Sequence, residues 1–268
     1  MKLGLMSNVF RAYSPEEAAQ KIQEAGFTAV QLSLWFKDVQ FYRYGSHVDL
    51  SGLTSDLCRR VREAFTRRGL ELVALGGYTD LVSADEEQRR ANVHYLQELM
   101  RRMPELGVRV LVTESGRSLD PGAGERLHES FLALLPVAEE VGVIIGLEPS
   151  RTQVIKDSIT ARRLLDELGS ERVKVMLDPA NILVPDTLET MFNLLGSDTI
   201  QGHAKDVLFG PEGKPSYPPA GQGQLDYPRY LRLLREYGVE TLVIEYVNET
   251  NYLQVRDFLR GVLREVEK

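Results

Sequence analysis

Eight short apolar runs, each followed by a longer stretch of helical period, constrain this chain more than any other feature of it. They occupy residues 2–7, 29–34, 71–76, 109–114, 143–148, 173–178, 200–206 and 241–246. As a group they are rich in Val, Ile and Leu and nearly continuous, the pattern of strands covered on both faces and hence of a parallel sheet. The intervening stretches carry helix punctuation. Ser14-Pro15-Glu16-Glu17 offers an N-cap, Pro in the first turn and acids where the helix dipole favours them. Ser83 and Glu86 have capping-box spacing before a long segment reaching about Leu106. Further helices are predicted at 53–68, 125–140, 159–168, 188–195, 227–237 and 252–266. Gly26, Gly69, Gly107, Gly142, Gly169, Gly196 and Gly238 stand where helices are expected to end.

Strict alternation predicts an α/β chain folded as a single (β/α)8 TIM barrel, one domain over residues 1–268. The first and last runs start 239 residues apart in seven steps, about 34 per unit, which suits a fold of ~250 residues. An open doubly wound sheet is disfavoured, because no GxGxxG follows the first run. The stretch 210–223, with four Gly and four Pro, breaks the rhythm just after the seventh run. On the barrel face that builds active sites, it reads as a lid or rim loop.

Composition narrows the function classes. The net charge of −7 opposes a nucleic-acid partner, which needs clustered Lys and Arg. A single cysteine, Cys58, excludes a disulfide framework or a Cys-rich metal site. No apolar run approaches the ~18 residues of a membrane span, so a cytoplasmic protein with no membrane partner is expected. The paired arginines at 59–60, 67–68, 89–90 and 101–102 are interleaved with acids, as on solvated helix faces.

The barrel expectation turns the search for chemistry into a search for polar residues at the ends of strands. Four consecutive runs supply them: Glu148, Asp178, His203 and Glu245. Three carboxylates at one barrel mouth would repel one another and raise each other's pKa unless a cation or proton is shared, and with the imidazole they suit a hard-to-borderline divalent ion. Near them, Lys205 is a candidate to stabilise an oxyanion or hold a substrate hydroxyl. Asn181 and Arg151 are candidates for gripping hydroxyl or anionic groups, and Trp35 with Phe36 for an apolar wall against a sugar ring.

These four positions, with His203-Ala-Lys-Asp206 and the later stretch 221–226, resemble the xylose isomerase-like TIM barrels. Among those, the likeness is to the ketose 3-epimerase, inosose isomerase and inosose dehydratase kind. The resemblance implies one divalent ion, Mn2+ foremost with Mg2+, Co2+ or Zn2+ as alternatives, held by Glu148, Asp178, His203 and Glu245. It also implies a small sugar or polyol substrate and a homo-oligomer. Two positions depart from the ketose 3-epimerase pattern: Asn181 and Phe209 stand where that group usually carries His and Arg. Endonuclease-type relatives need additional histidines, and this chain has only His47, His94, His128 and His203.

A carbonyl and neighbouring hydroxyl chelated to such an ion become acidic, because the ion neutralises the developing enediolate. Glu148 and Glu245 are the candidate catalytic pair, one removing a carbon-bound proton and the other returning it. The expected function is a metal-dependent isomerase or epimerase of a keto-sugar or keto-polyol. The alternatives are an inosose-type dehydratase and a non-catalytic sugar-binding barrel.

Overall fold

The computed structural model describes residues 1–267. Eight parallel strands close on themselves: β1 (Lys2–Met6), β2 (Ala29–Leu32), β3 (Glu71–Gly76), β4 (Val110–Thr113), β5 (Ile144–Leu147), β6 (Val173–Leu177), β7 (Thr199–Ala204) and, last in the chain, β10 (Thr241–Ile244). β1 pairs with both β2 and β10, which completes the barrel. A two-stranded antiparallel hairpin, β8 (Leu208–Phe209) and β9 (Pro215–Ser216), stands apart from it. Outside run α1 (Pro15–Glu24), α2 (Ser55–Thr66), α3 (Glu86–Leu106), α4 (Ala123–Val141), α5 (Ser158–Leu168), α6 (Pro179–Ile182), α7 (Leu188–Leu195), α8 (Tyr227–Glu236) and α9 (Tyr252–Val266). The chain is a (β/α)8 TIM barrel with one extra helical turn, α6, inserted directly after β6.

Local chemistry sets these boundaries. Ser14 and Glu17 form a reciprocal capping box at α1, with Pro15 in its first turn. At α3 the cap is Asp85, whose carboxylate accepts from Gln88 N, and the Ser83–Glu86 box does not form. Asp, two residues further along, offers a charged acceptor to the helix start and wins. Gly107, Gly142 and Gly169 end their helices in the left-handed conformation. Gly196 differs, keeping right-handed geometry and leading into a 3-10 turn. A Cβ there would lie 2.4 Å from the Tyr237 ring, so packing rather than turn geometry demands glycine.

The core lies mainly between strands and helices, with Phe10, Phe36, Phe65, Phe131 and Phe192 buried in one cluster. Phe36 belongs there, its ring 6.1 Å from Phe65, and so does not share the wall expected of it with Trp35. Cys58 is fully buried, and burial pushes its thiol up to about 11, so it packs as a small apolar group. The helix-borne arginines pair outward, Arg60 with Glu16 and Asp38, and Arg101 with Glu98. Among the described residues no helix is long and apolar enough to cross a membrane.

Candidate metal centre

Each strand leaves its last side chains at the barrel mouth, and the four donors arrive there by different local routes. Glu148 and Glu245 are the first residues beyond β5 and β10, while His203 lies within β7. Asp178 caps α6. One carboxylate oxygen accepts from Ala180 N at 3.0 Å, which leaves Oδ2 for the interior. One donor atom from each of the four lies within 4.8 Å of every other, and all four residues are buried. His203 and Asp178 are 0% exposed, Glu148 3% and Glu245 8%.

Lys205 compensates part of this charge. Its ammonium lies 2.7 Å from Asp178 Oδ2, 2.8 Å from Glu245 Oε1 and 2.8 Å from Asn181 Oδ1. Asn181 in turn donates from Nδ2 to Glu148 Oε1 at 2.9 Å, so this amide ties lysine and glutamate together. With the imidazole neutral, as a metal ligand must be, three carboxylates against one ammonium leave a formal charge of −2.

The titration pattern reflects that excess. Burial disfavours the charged His203 ring, but the Glu245 and Glu148 carboxylates outweigh it and push the imidazole up to about 10. Burial likewise opposes an ionised Glu245, yet Lys205 and His203 hold it well below the usual range. Asp178 goes the other way, raised by burial despite Lys205.

The donor set fits a divalent cation. His203 Nδ1 is buried without a hydrogen-bonding partner, Glu245 Oε2 lying 3.3 Å and Glu148 Oε1 3.7 Å from it. Asp178 Oδ2 and Glu245 Oε1 are within ion-pair reach of Lys205 but accept no well-directed hydrogen bond. Orphaned buried acceptors of this kind are rare in the absence of a further partner. One nitrogen and three oxygens with a residual charge of −2 match a borderline divalent ion.

Above the four residues opens a cavity of about 430 Å3. Trp35 lines it, 6.1 Å from Tyr42 and beneath the Arg11 guanidinium. Asn181 and Lys205 line it too. Arg151 does not: its guanidinium donates to the carbonyls of Ala180 and Asn181 at 3.2 and 3.1 Å and stacks on Phe209. A groove of about 770 Å3 outside the barrel, between α4 and α5, contains none of these residues.

Stretch 210–223 is anchored by Asp206, the last residue of the His203-Ala-Lys-Asp206 motif. Its carboxylate accepts from the backbone N–H groups of Val207, Gly221 and Leu225. Gly223 passes so close that a Cβ would sit 2.3 Å from Asp206 Oδ1. This pinning carries Tyr217 to the cavity, 5.9 Å from the Tyr246 ring. Both rings flank the Lys205 ammonium, at 5.2 and 4.5 Å. Tyr246 reaches the mouth through left-handed backbone, φ 53°, immediately after Glu245. Neighbouring residues of an extended strand face opposite ways, so this turn lets both enter the cavity. Such backbone costs roughly 1–3 kcal/mol and concentrates at functional sites.

Sequence reasoning missed several cavity residues. Glu114, beyond β4, satisfies the same strand-end rule as Glu148 and should have been found by it. Tyr44 and Gln153 both donate to Glu114 Oε2 at 2.6 Å, and burial, with Glu148 adding, pushes the carboxyl up to about 7. Tyr78 follows β3 closely and donates to Glu148 Oε2 at 3.1 Å. Tyr42 and Tyr44 come from a loop with no strand-end signal.

A family model for xylose isomerase-like TIM barrels matches residues 19–262. The chain belongs to that family. No curated protein sequence matches it. Among solved structures, a D-tagatose 3-epimerase-like protein superposes with a TM-score of 0.79 at 18% identity, over 100% of this chain and 98% of its own. The IOLI protein with a bound zinc atom gives 0.77 at 18%, over 99% and 98%. The probable 3-DHS dehydratase AsbF from Bacillus anthracis gives 0.76 at 16%, over 98% and 99%. At these identities the likeness is one of fold.

Proposed function

We propose that this barrel is a divalent-metal-dependent isomerase or epimerase of a small keto-sugar or keto-polyol. The observation that carries the reading is the convergence of Glu148, Asp178, His203 and Glu245 within 4.8 Å at the floor of an aromatic-walled cavity. The same four residues would hold the ion. When bound, it supplies a Lewis acid beside a substrate carbonyl, with Mn2+ our first choice.

The chain's own residues account for the remaining chemistry. Glu148 comes from β5 and Glu245 from β10, with β6 and β7 between them in the barrel. Their carboxylates therefore meet the cavity floor from different sides, as removal and return of a proton on opposite faces of a carbon require. Lys205 and His203 keep Glu245 ionised, the form that accepts a proton. Asn181 orients Glu148 through its 2.9 Å hydrogen bond, and Lys205 presents positive charge toward a substrate oxygen. Trp35, Tyr217 and Tyr246 offer flat apolar surface to ring C–H groups and exclude water. Arg151 braces the α6 turn that carries Asn181, and so acts without touching substrate.

Loss of a hydroxyl after the same proton abstraction is the second reading. It is favoured by Glu114, a fourth cavity carboxyl pushed up to about 7 and thus partly protonated at neutral pH, which suits it to donate to a leaving hydroxyl. Incubation with Mn2+ and a panel of keto-sugars and inososes in deuterated water separates the readings. Deuterium gained at carbon without loss of water marks isomerisation or epimerisation, and loss of water marks dehydration. No exchange with any of them, in protein shown to carry metal, would sink the catalytic reading and leave a sugar-binding barrel.

A further inference from the structure

Beneath the four donors, the lumen of the barrel holds a polar platform with no role so far. Gln31 on β2 is fully buried, and so, to within 3% exposure, is Gln201 on β7. Gln31 Oε1 accepts from Gln201 Nε2 at 2.5 Å and faces His203 Nε2 at 2.8 Å. Gln31 Nε2 donates to the Tyr78 hydroxyl at 3.2 Å, and that hydroxyl donates to Glu148 Oε2 at 3.1 Å.

The directions are interlocked. Because the Tyr78 hydroxyl accepts from the amide, its own proton is committed to Glu148. Because Gln31 spends its NH2 on Tyr78, it can present only its carbonyl oxygen to β7. A carbonyl has no proton to give, so His203 Nε2 must carry one. The nitrogen that can be freed is Nδ1, the atom buried without a hydrogen-bonding partner between Glu148 and Glu245.

From this we infer that Gln31 is a positioning residue of the metal centre: its carbonyl holds the proton on His203 Nε2 and makes Nδ1 the ligand atom. Through Tyr78 the same amide also aims Glu148, so one side chain on the far wall of the barrel orients two of the four donors. The inference rests on the metal-centre reading. An amide buried in a barrel lumen for packing alone needs neither this orientation nor this chain of donors, and replacing it would leave ion affinity untouched. Partners of this kind, behind a ligand, typically contribute about 10- to 100-fold in affinity.

The test uses the full-length protein with Zn2+ and Mn2+ as probes. Calorimetric titration should give Gln31→Leu an affinity about 10- to 100-fold weaker than the wild type. Gln31→Glu, which keeps an oxygen acceptor for His203 Nε2 but loses the donor to Tyr78, should recover part of that loss. Nitrogen-15 spectra of the Zn2+-loaded wild type should show His203 coordinated through Nδ1 with a slowly exchanging Nε2 proton. This measurement stands even if Gln31→Leu does not fold. Coordination through Nε2, or undiminished affinity in folded Gln31→Leu, overturns the role of Gln31 while leaving the centre intact. A wild type that takes up neither ion overturns the centre and this inference with it.

Discussion

Lys205 donates to Asn181 and stands within 2.8 Å of carboxylate oxygens of Asp178 and Glu245, and with His203 it is a cation able to offset the buried carboxylates. Removing one partner of a buried pair leaves an uncompensated charge, typically at a cost of about 3–5 kcal/mol. Lys205→Met should therefore destabilise the metal-free protein by that order in denaturant titrations. It should also tighten Mn2+ binding, because the repelling ammonium is gone. Unchanged stability in chelator would contradict the ion-pair argument. Asp178→Ala should abolish stoichiometric metal in elemental analysis. Glu245→Gln should lower turnover by at least about 100-fold, the scale of a lost acid–base group. At this scale the sequence was legible for side chains with a positional rule. Glu148, Asp178, His203 and Glu245 were all reached through strand ends, and Lys205 through the two-residue period of a strand. Gln31 and Gln201 lie inside strands, where a buried amide has no sequence signature, and Tyr44 lies in a loop. Arg151 had the right neighbour in sequence, yet its guanidinium turns to backbone carbonyls, a choice made by the α6 turn.

The hairpin of β8 and β9 hangs from Asp206, whose three backbone donors make it the hinge post of stretch 210–223. Asp206→Ala should leave metal content unchanged and raise KM several-fold by releasing Tyr217, with faster proteolytic nicking between residues 210 and 223. A KM equal to the wild-type value would show that the hairpin is no part of the substrate wall. The Gly and Pro content marked this stretch as irregular, but the short pairing of Leu208 with Ser216 and Phe209 with Pro215 was invisible, since two residues carry no period. At the other end of the barrel, α7 meets α8 where Gly196 faces Tyr237. Gly196→Ala should cost about 1–3 kcal/mol by overpacking, measured as a lower denaturant midpoint with unchanged slope.

For the whole molecule, the buried centre should couple folding to pH and, through the proposed ion, to metal. His203 has an ordinary value of 6.5 and stands at about 10 in the folded chain. Its contribution is complete below pH 6.5 and fades as pH climbs through about 10. Glu114, pushed up from 4.5 to about 7, acts in the same sense: over that interval the folded chain keeps a proton that the unfolded chain releases. Glu245, held low, has the opposite sense; its contribution is present above 4.5 and lost as pH falls through its depressed value. The metal-free protein should thus melt several degrees lower at pH 9 than at pH 6. Excess Mn2+ should shrink that difference, because the ion competes with the Nδ1 proton more successfully as pH rises. Thermal melts in chelator and in Mn2+ across this range check both statements, and a metal-free melting point that climbs toward pH 9 would refute the assignment.

Hydrophobic period, proline and glycine punctuation and strand-end polarity are local properties, and by themselves they determined the eight-fold alternation, the barrel and four of its mouth residues. They sufficed because a strand covered on both faces and a helix covered on one leave different repeats in the chain. Tertiary structure alone decided which polar groups meet. The closure of β1 onto β10 brings β2 within three strands of β7 and joins Gln31 to His203 across the lumen, residues 172 apart in sequence. No local pattern encodes the direction of a hydrogen bond across a barrel, because it depends on what every neighbouring donor has already accepted.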